Sequence, residues 1–323
     1  MVNTVIAASG LLVLPRLRVQ NANAVSGPLT WGFPSPTAFI GFAHALERRL
    51  TAQIPQGFDG VGIVCHGFQA QASKPVGRHT QVFHLTRNPV DQDGGAPSLV
   101  EEARARLEVT LIIPVLDELD DYEGNKLVQA AFGIALSMRL AGGSILPPRP
   151  GKRYEPLWQP LPEDIDGQRE TFKNKLRRHL LPGFALVRRD DLLRERLADM
   201  QAKAPATVLD ALLDLCRLNI EPGEAKPDEP EKVEWHVEKR RPGWLVPLPI
   251  GYAGISPLYA PGEVANARDS ETPFRFVESL YSLGQWVSPH RIENLQDLLW
   301  HTEADTANGI YRCVNAYAAS RSQ

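Results

Sequence analysis

Within the first 148 residues the spacing of apolar side chains switches between a period of two and a period near 3.6, and the order of those switches restricts the fold more than any other feature. Residues 11–19 read as a strand, with Leu17 and Val19 on one face and Arg16 and Arg18 on the other. Pro15 lacks a backbone donor, which predicts either an edge strand or a bulge. A helix is expected over 35–50, because Phe39, Phe42, Ala43, Leu46 and Leu50 recur at helical spacing. Ser35 suits its N-cap, Pro36 its first position, and Arg48 and Arg49 its negative end. Strands are expected over 60–69 and 107–115, then a helix over 123–140, ended by Gly142-Gly143, and a strand over 144–146. The resulting order, β-α-β-β-α-β, is that of a ferredoxin-like or RRM-type α+β fold.

Two further stretches qualify that outline. Residues 70–106 form a surplus of about 35 residues between the second and third strands, long enough to expect a functional insertion. A strand over 79–87 and an Asp-Gly-Gly turn at Asp93 to Gly95 suggest a projecting hairpin, basic at its root through Lys74, Arg78 and Arg87. The domains are therefore expected at 1–148, a head with this inserted β-hairpin thumb, and at 149–323, a less regular half of helices and strands. In that half, 168–196 is the densest basic region, either a solvated helix face or a phosphate-facing surface. Residues 221–231, rich in Pro, Glu and Asp, read as a flexible acidic loop.

The segment LPRLRVQNANAVSGPLTWGFPSPTAFIGFAHAL (14–46) joins the first strand to the first helix through a polar loop. It carries three amides (Gln20, Asn21, Asn23), then Trp31, Gly32 and Phe33, then the Ser35 helix start. Unsatisfied N–H groups at such a start favour a phosphate, and amides with aromatics can read and stack bases. The alternative is a loop whose aromatics cover the core. A net charge of -3 excludes a freely acting basic nucleic-acid binder, so any such contact must use a local patch or be shared with partner proteins.

Chemistry is sparse. Cys65, Cys216 and Cys313 lie far apart without a paired spacing, which argues against a disulfide framework or a zinc site. No phosphate-binding glycine loop, nucleophile elbow or metalloprotease motif occurs. His66 and His84 are read as packing or hydrogen-bonding residues before bases acting on a 2′-hydroxyl. Asp117, Glu118, Asp120 and Asp121 are read as a solvated turn rather than a metal site. No catalytic residue, metal or cofactor is expected, nor a signal peptide or membrane span, and the chain reads as cytoplasmic.

The 14–46 segment also resembles the start of the second Csy protein family, the Cas-five-type subunits of type I-F CRISPR surveillance complexes. Further blocks match in order: DGVGIVCHGFQAQ (59–71), VFHLTRNPV (82–90), MRLAGGSILP (138–147), LLPGFALV (180–187), LDALLDLCRLN (209–219), PGWLVPLPIGY (242–252), SPLYAPGEVANARDSETPFRFVESL (256–280) and WVSPHRI (286–292). Residues 149–169 and the acidic loop match least, and nothing is carried over there. The resemblance implies a non-catalytic subunit that pairs with the large Csy subunit, holds the 5′ handle of the CRISPR RNA and abuts the repeated backbone subunit. Target double-stranded DNA would be met in the assembled complex, with sequence read by base pairing; phage anti-CRISPR proteins are candidate further partners. On that basis Gln20, Asn21 and Asn23 are expected to bond handle bases or sugars, with Trp31, Gly32 and Phe33 close to the RNA. A phosphate is expected at Ser35, thumb support from Lys74, Arg78 and Arg87, and a backbone contact from Arg139. Leu280, Tyr281 and Trp286 are candidates for partner contacts, with core packing the equal alternative. The rivals are a metal-independent CRISPR RNA-processing endoribonuclease and a stand-alone small-molecule enzyme.

Overall fold

The computed structural model describes residues 8–84, 90, 93–96, 102–149, 154–162, 168–223, 233–238, 243–267 and 269–321. Strand β1 (Gly10–Asn23) leads through a loop into helix α1 (Pro36–Leu50), and β2 (Val61–Ala70) follows. Two short strands, β3 (Ala72–Ser73) and β4 (Val82–Phe83), pair at the base of the insertion before β5 (Arg104–Val115). Helix α2 (Asp121–Leu136) precedes a tight hairpin of β6 (Arg139–Leu140) and β7 (Gly143–Leu146). Then come β8 (Leu157–Pro160), α3 (Gln168–Leu180), β9 (Phe184–Arg188), α4 (Asp190–Gln201) and α5 (Val208–Cys216). A small hairpin, β10 (Ile220–Pro222) with β11 (Trp235–Val237), stands apart from the main sheet. The chain closes with β12 (Trp244–Gly254), β13 (Val277–Val287), β14 (Leu299–Asp305), β15 (Ile310–Asn315) and α6 (Tyr317–Arg321).

The result is a mixed α/β protein on one large antiparallel sheet, eleven-stranded among the described residues, in the order β14-β15-β12-β13-β9-β2-β5-β1-β7-β6, with β8 also on β1. A further pairing of β14 with β2 closes a circuit of β2, β9, β13, β12, β15 and β14. Trp300, fully buried, fastens that circuit from within, its indole N–H donating to the Leu186 carbonyl at 2.8 Å. The second half is thus more regular than its sequence suggests: β12 and β13 are 11 residues each and pair along their length. Pro247, Pro249 and Gly251 obscure that strand in the sequence; a bulge between Pro249 and Gly251 absorbs the interruption.

Both faces of the central strands are dry. Leu12 and Leu14 of β1, Ile63 of β2 and Leu111 of β5 pack under Phe39 and Leu46 of α1 and Leu127 and Ala131 of α2. The alternate residues, Leu11, Val13, Val64 and Ile112, are covered by Leu176 and Leu180 of α3. β1 is an interior strand, and Pro15 is accommodated by a bulge: Leu14 pairs Leu111 and Leu17 pairs Val109, leaving Pro15 and Arg16 opposite Thr110. Arg16 turns left-handed (φ 52), and its N–H donates to the Thr110 hydroxyl.

α2 ends earlier than expected. Ser137 caps it after Leu136, and Ala141 (φ 49) with Gly142 (φ 75) makes the left-handed pair of a two-residue hairpin turn between β6 and β7. The glycine pair therefore turns a hairpin rather than ending the helix. Gly143 is required by close approach, since a Cβ there would lie 2.7 Å from the Ala22 nitrogen and the Gln20 carbonyl oxygen. Of the acidic cluster, Glu118, Asp120 and Asp121 are exposed as expected, but Asp117 is not. Asp117 is buried and accepts the Gln56 and Gly57 N–H groups, while Asp120 caps α2 in a capping box with Glu123.

Trp158 of β8 locks the outer edge by lying on two glycines, Gly10 of β1 and Gly124 of α2, where an added Cβ would come within 2.2 and 2.3 Å of its ring. Helix propensity alone makes Gly124→Ala stabilising by about 0.5–1 kcal/mol, whereas overpacking against Trp158 costs about 1–3 kcal/mol. The expected outcome is a net loss in chemical denaturation; a neutral or more stable Gly124→Ala variant would refute the lock.

Candidate nucleic-acid interface

Because both sheet faces are covered, polar groups reach solvent at strand ends and bulges. The amides sit on the end of β1 rather than in a loop. A second bulge leaves Gln20 and Asn21 opposite Arg106, with Asn21 left-handed at φ 59. Gln20 and Asn21 are exposed. Asn21 Oδ1 accepts from Gln71 Nε2 at 2.7 Å, and its backbone carbonyl accepts from Arg104 at 3.5 Å, tying this bulge to the root of the insertion. Asn23 closes a turn on Val25, donating to its carbonyl and accepting its N–H. Its own N–H donates to the Ala141 carbonyl, which anchors the β6–β7 hairpin beside it.

The two loop aromatics part company. Trp31 is 59% exposed and meets Phe83 of β4 edge-on at 5.2 Å, so the loop touches the inserted hairpin. Phe33 turns inward, stacked on Phe39 at 5.3 Å and edge-on to Trp286 at 4.9 Å. Gly32 lies between them with φ 143 and open space where a Cβ would be. Leu280, Tyr281 and Trp286 serve this packing: Leu280 and Trp286 lie against the main core, and the Tyr281 hydroxyl accepts the Leu29 N–H.

Ser35 is buried and caps α1, its hydroxyl accepting from the Thr37 N–H and donating to the Pro249 carbonyl. Pro36 has no N–H, and that of Ala38 donates to the Ser35 carbonyl. The helix start therefore offers no spare donor to a phosphate, and Ser35 fixes the wall of the site instead. Lys74 and Arg78 are exposed in the connection between β3 and β4; Arg87 lies outside the described residues. Arg139 is exposed on β6 and donates to the Ser144 hydroxyl at 3.0 Å. Asn23, Ser35, Arg139 and Gly142 converge on one cavity, which the sequence alone did not reveal because α1 and the hairpin are a hundred residues apart in the chain.

The other candidates serve the fold. His66 is held between the Pro182 carbonyl at 2.6 Å and the Thr110 hydroxyl at 2.7 Å. The carbonyl can only accept, so Nδ1 carries the proton and Nε2 accepts from Thr110. Burial lowers the imidazole below its ordinary value of 6.5, against the pull of the Pro182 carbonyl. In the basic region Arg188 pairs with Asp190, Arg189 with Asp191 and Arg196 with Asp214. Burial alone would raise the Asp191 carboxyl, but the Arg189 guanidinium holds it below its usual range. Burial raises the thiols of Cys65, to about 11, and of Cys216 and Cys313, to about 12, so none is a ready nucleophile. Among the described residues no cluster of three or more His, Cys, Asp or Glu side chains is placed to hold a metal.

These features define a mixed α/β protein of the CRISPR-associated class: residues 12–313 match the family model described as CRISPR-associated protein (Cas_Csy2). The chain belongs to that family, the second Csy subunit of type I-F systems, whose setting is the Csy complex of antiviral defence. The CRISPR-associated protein Csy2 of Pseudomonas aeruginosa (strain UCBPP-PA14) is 52% identical over 313 residues, spanning 94% of each chain. Membership of the Csy complex implies partner Cas proteins and CRISPR RNA. No helix among the described residues is long and apolar enough to cross a membrane.

The unfolded chain takes a proton near pH 6.5 that half-buried His66 refuses until lower pH. Its contribution to stability is therefore complete above that pH and lost as pH falls through the lowered folded value. Urea midpoints between about pH 8 and 5 should fall less steeply in a His66→Gln variant than in the parent. His179 shifts in the same direction and contributes equally to both proteins. Parallel slopes would count against a lowered His66 imidazole.

Proposed function

We propose that the protein is a non-catalytic subunit of the RNA-guided surveillance complex that holds the 5′ handle of the CRISPR RNA together with the large Csy subunit, caps the filament of backbone subunits, and takes part in the recognition of target DNA. One observation carries this reading. The bulged end of β1 with Gln20 and Asn21, the exposed Trp31 on Phe83, and the hairpin bearing Lys74 and Arg78 all meet at one end of the sheet, joined by the Asn21–Gln71 bond. Unpaired RNA is recognised by amides on base edges, by aromatic stacking and by cations on phosphate, the groups gathered here.

The sheet order supports an RRM-like head over 1–148. Within β2-β5-β1-β7, α1 connects β1 to β2 and α2 connects β5 to the β6–β7 hairpin, all strands antiparallel, the arrangement of a ferredoxin-like unit. The insertion over 70–106 is the thumb, and it kinks the RNA where handle passes to spacer. Residues 149–323 form the second region and contribute to the contacts with partner proteins. The endoribonuclease rival gains nothing from His66 as a general base, since both ring nitrogens are engaged within the protein, Nδ1 by the Pro182 carbonyl and Nε2 by the Thr110 hydroxyl.

The test is co-purification of the chain with its large partner and an RNA carrying the handle. Charge reversal at Lys74, Arg78 and Arg87 should weaken RNA retention while leaving the circular dichroism spectrum unchanged. It should also lower the slope of log affinity against log salt by about 0.7 for each phosphate left without its cation. Retention equal to the parent's would overturn the thumb assignment. Single changes at Gln20 or Asn23 to Ala should each cost no more than about 1–3 kcal/mol in RNA binding, by analogy with base contacts in duplexes. Specific metal-free cleavage of repeat RNA by the purified chain would overturn the non-catalytic reading.

A further inference from the structure

Between α1 and the β6–β7 hairpin lies a cavity of about 540 Å3, inside the roughly 300–1,000 Å3 range of small-ligand sites. Ala38, Gly41 and Ala45 share one face of α1 by helical spacing and form its inner wall, with Phe42 and Pro34 deeper in. The Ala141–Gly142 turn forms the opposite wall, and Arg139 lines the same space. Gly41 is exposed, and a Cβ added there would meet nothing within 4 Å. No packing contact calls for glycine at this position, and mid-helix glycine costs about 0.5–1 kcal/mol relative to alanine. What the missing side chain provides is depth in the cavity.

The polar side chains around it are each engaged in a hydrogen bond within the protein. Asn23 is closed on Val25, Ser26 accepts the Ser35 N–H, and Thr37 donates to Ser35, which donates onward to Pro249. With those groups tied into the fold, the slot presents mainly small apolar walls and one cation, Arg139. A flat heterocycle attached to a phosphate fits that chemistry: the ring enters the slot by shape, and the phosphate meets the guanidinium.

Resting on the handle-binding reading above, we propose that this cavity takes one extruded nucleobase of single-stranded RNA, selected by shape rather than by its hydrogen-bonding edge, with the adjoining phosphate at Arg139. Such a slot tolerates different bases and fixes the register of the RNA against the protein.

The deciding variant is Gly41→Leu, which fills the slot and improves helix propensity, so its thermal midpoint should equal or exceed the parent's. Handle RNAs carrying 2-aminopurine or an abasic residue at successive positions are bound to the complex of this chain with its large partner. At one position the fluorescence should change on binding to the parent and not to Gly41→Leu. At that position base removal should weaken parent binding about 5- to 150-fold, the weight of one stacked base, and leave Gly41→Leu binding unaffected. Arg139→Gln should weaken all these RNAs alike and lower the salt slope. If folded Gly41→Leu binds every RNA as the parent does, the base slot is refuted. The handle reading then stands provided charge reversal at Lys74, Arg78 and Arg87 still releases RNA, and falls with the slot if it does not. Loss of the large partner from Gly41→Leu without RNA present would identify a protein occupant and overturn the proposal.

Discussion

The constraint on which the structure turns is that the central strands are buried on both sides. α1 and α2 cover one face, α3 the other, and neither leaves a platform on which a ligand could lie. Polar function is thereby pushed to places where the ladder is interrupted. β1 supplies two interruptions, each with two residues set against one on β5 and each with a left-handed residue, Arg16 and Asn21. They are put to different use. Arg16 is drawn inward, donating to Glu108 and to the carbonyls of Leu181 and Pro182, and so fastens the segment after α3. Asn21 faces outward at the root of the insertion. A bulge re-aims a side chain without breaking the sheet, which lets one strand serve both as the middle of the core and as an edge of the candidate interface.

The second half of the chain conditions that interface without lying in it. The strand circuit closed by β14 on β2 brings β12 and β13 behind the 24–34 loop. Three contacts then set the loop: the Tyr281 hydroxyl on the Leu29 N–H, Trp286 against Phe33, and the Pro249 carbonyl on the Ser35 hydroxyl. With Phe33 drawn into the core, Trp31 is left outside on Phe83. The division of labour between these aromatics is thus decided some 250 residues further along the chain, by partners that no local pattern could name.

Legibility in the sequence follows the same boundary between local and distant causes. The span of α1 and its Ser35 cap were readable, because capping and amphipathic spacing act within one helix. The Pro15 bulge was readable as one of two outcomes, and pairing on both sides of β1 decided between them. The end of α2 was misread, since a glycine pair suits a helix end as well as a hairpin and only the approach of Gly143 to β1 distinguishes them. Asp117 was misread as solvated, because the N–H groups of Gln56 and Gly57 that it accepts come from a distant turn. The basic run after α3 resolves into ion pairs with Asp190, Asp191 and Asp214, and the last of these carboxylates lies on a different helix from its arginine.

Charge placement completes the physical picture. A chain with a net charge of -3 draws little general attraction to a polyanion, and the pairing of Arg188, Arg189 and Arg196 offsets part of the basic region that looked best suited to supply it. On the reading proposed above, affinity for RNA would come from cations placed locally, such as Lys74, Arg78 and Arg139, together with shape and the surfaces of partner subunits. That balance suits a subunit of an RNA-guided complex, where base pairing carries sequence and a strongly basic free subunit would bind nucleic acid indiscriminately.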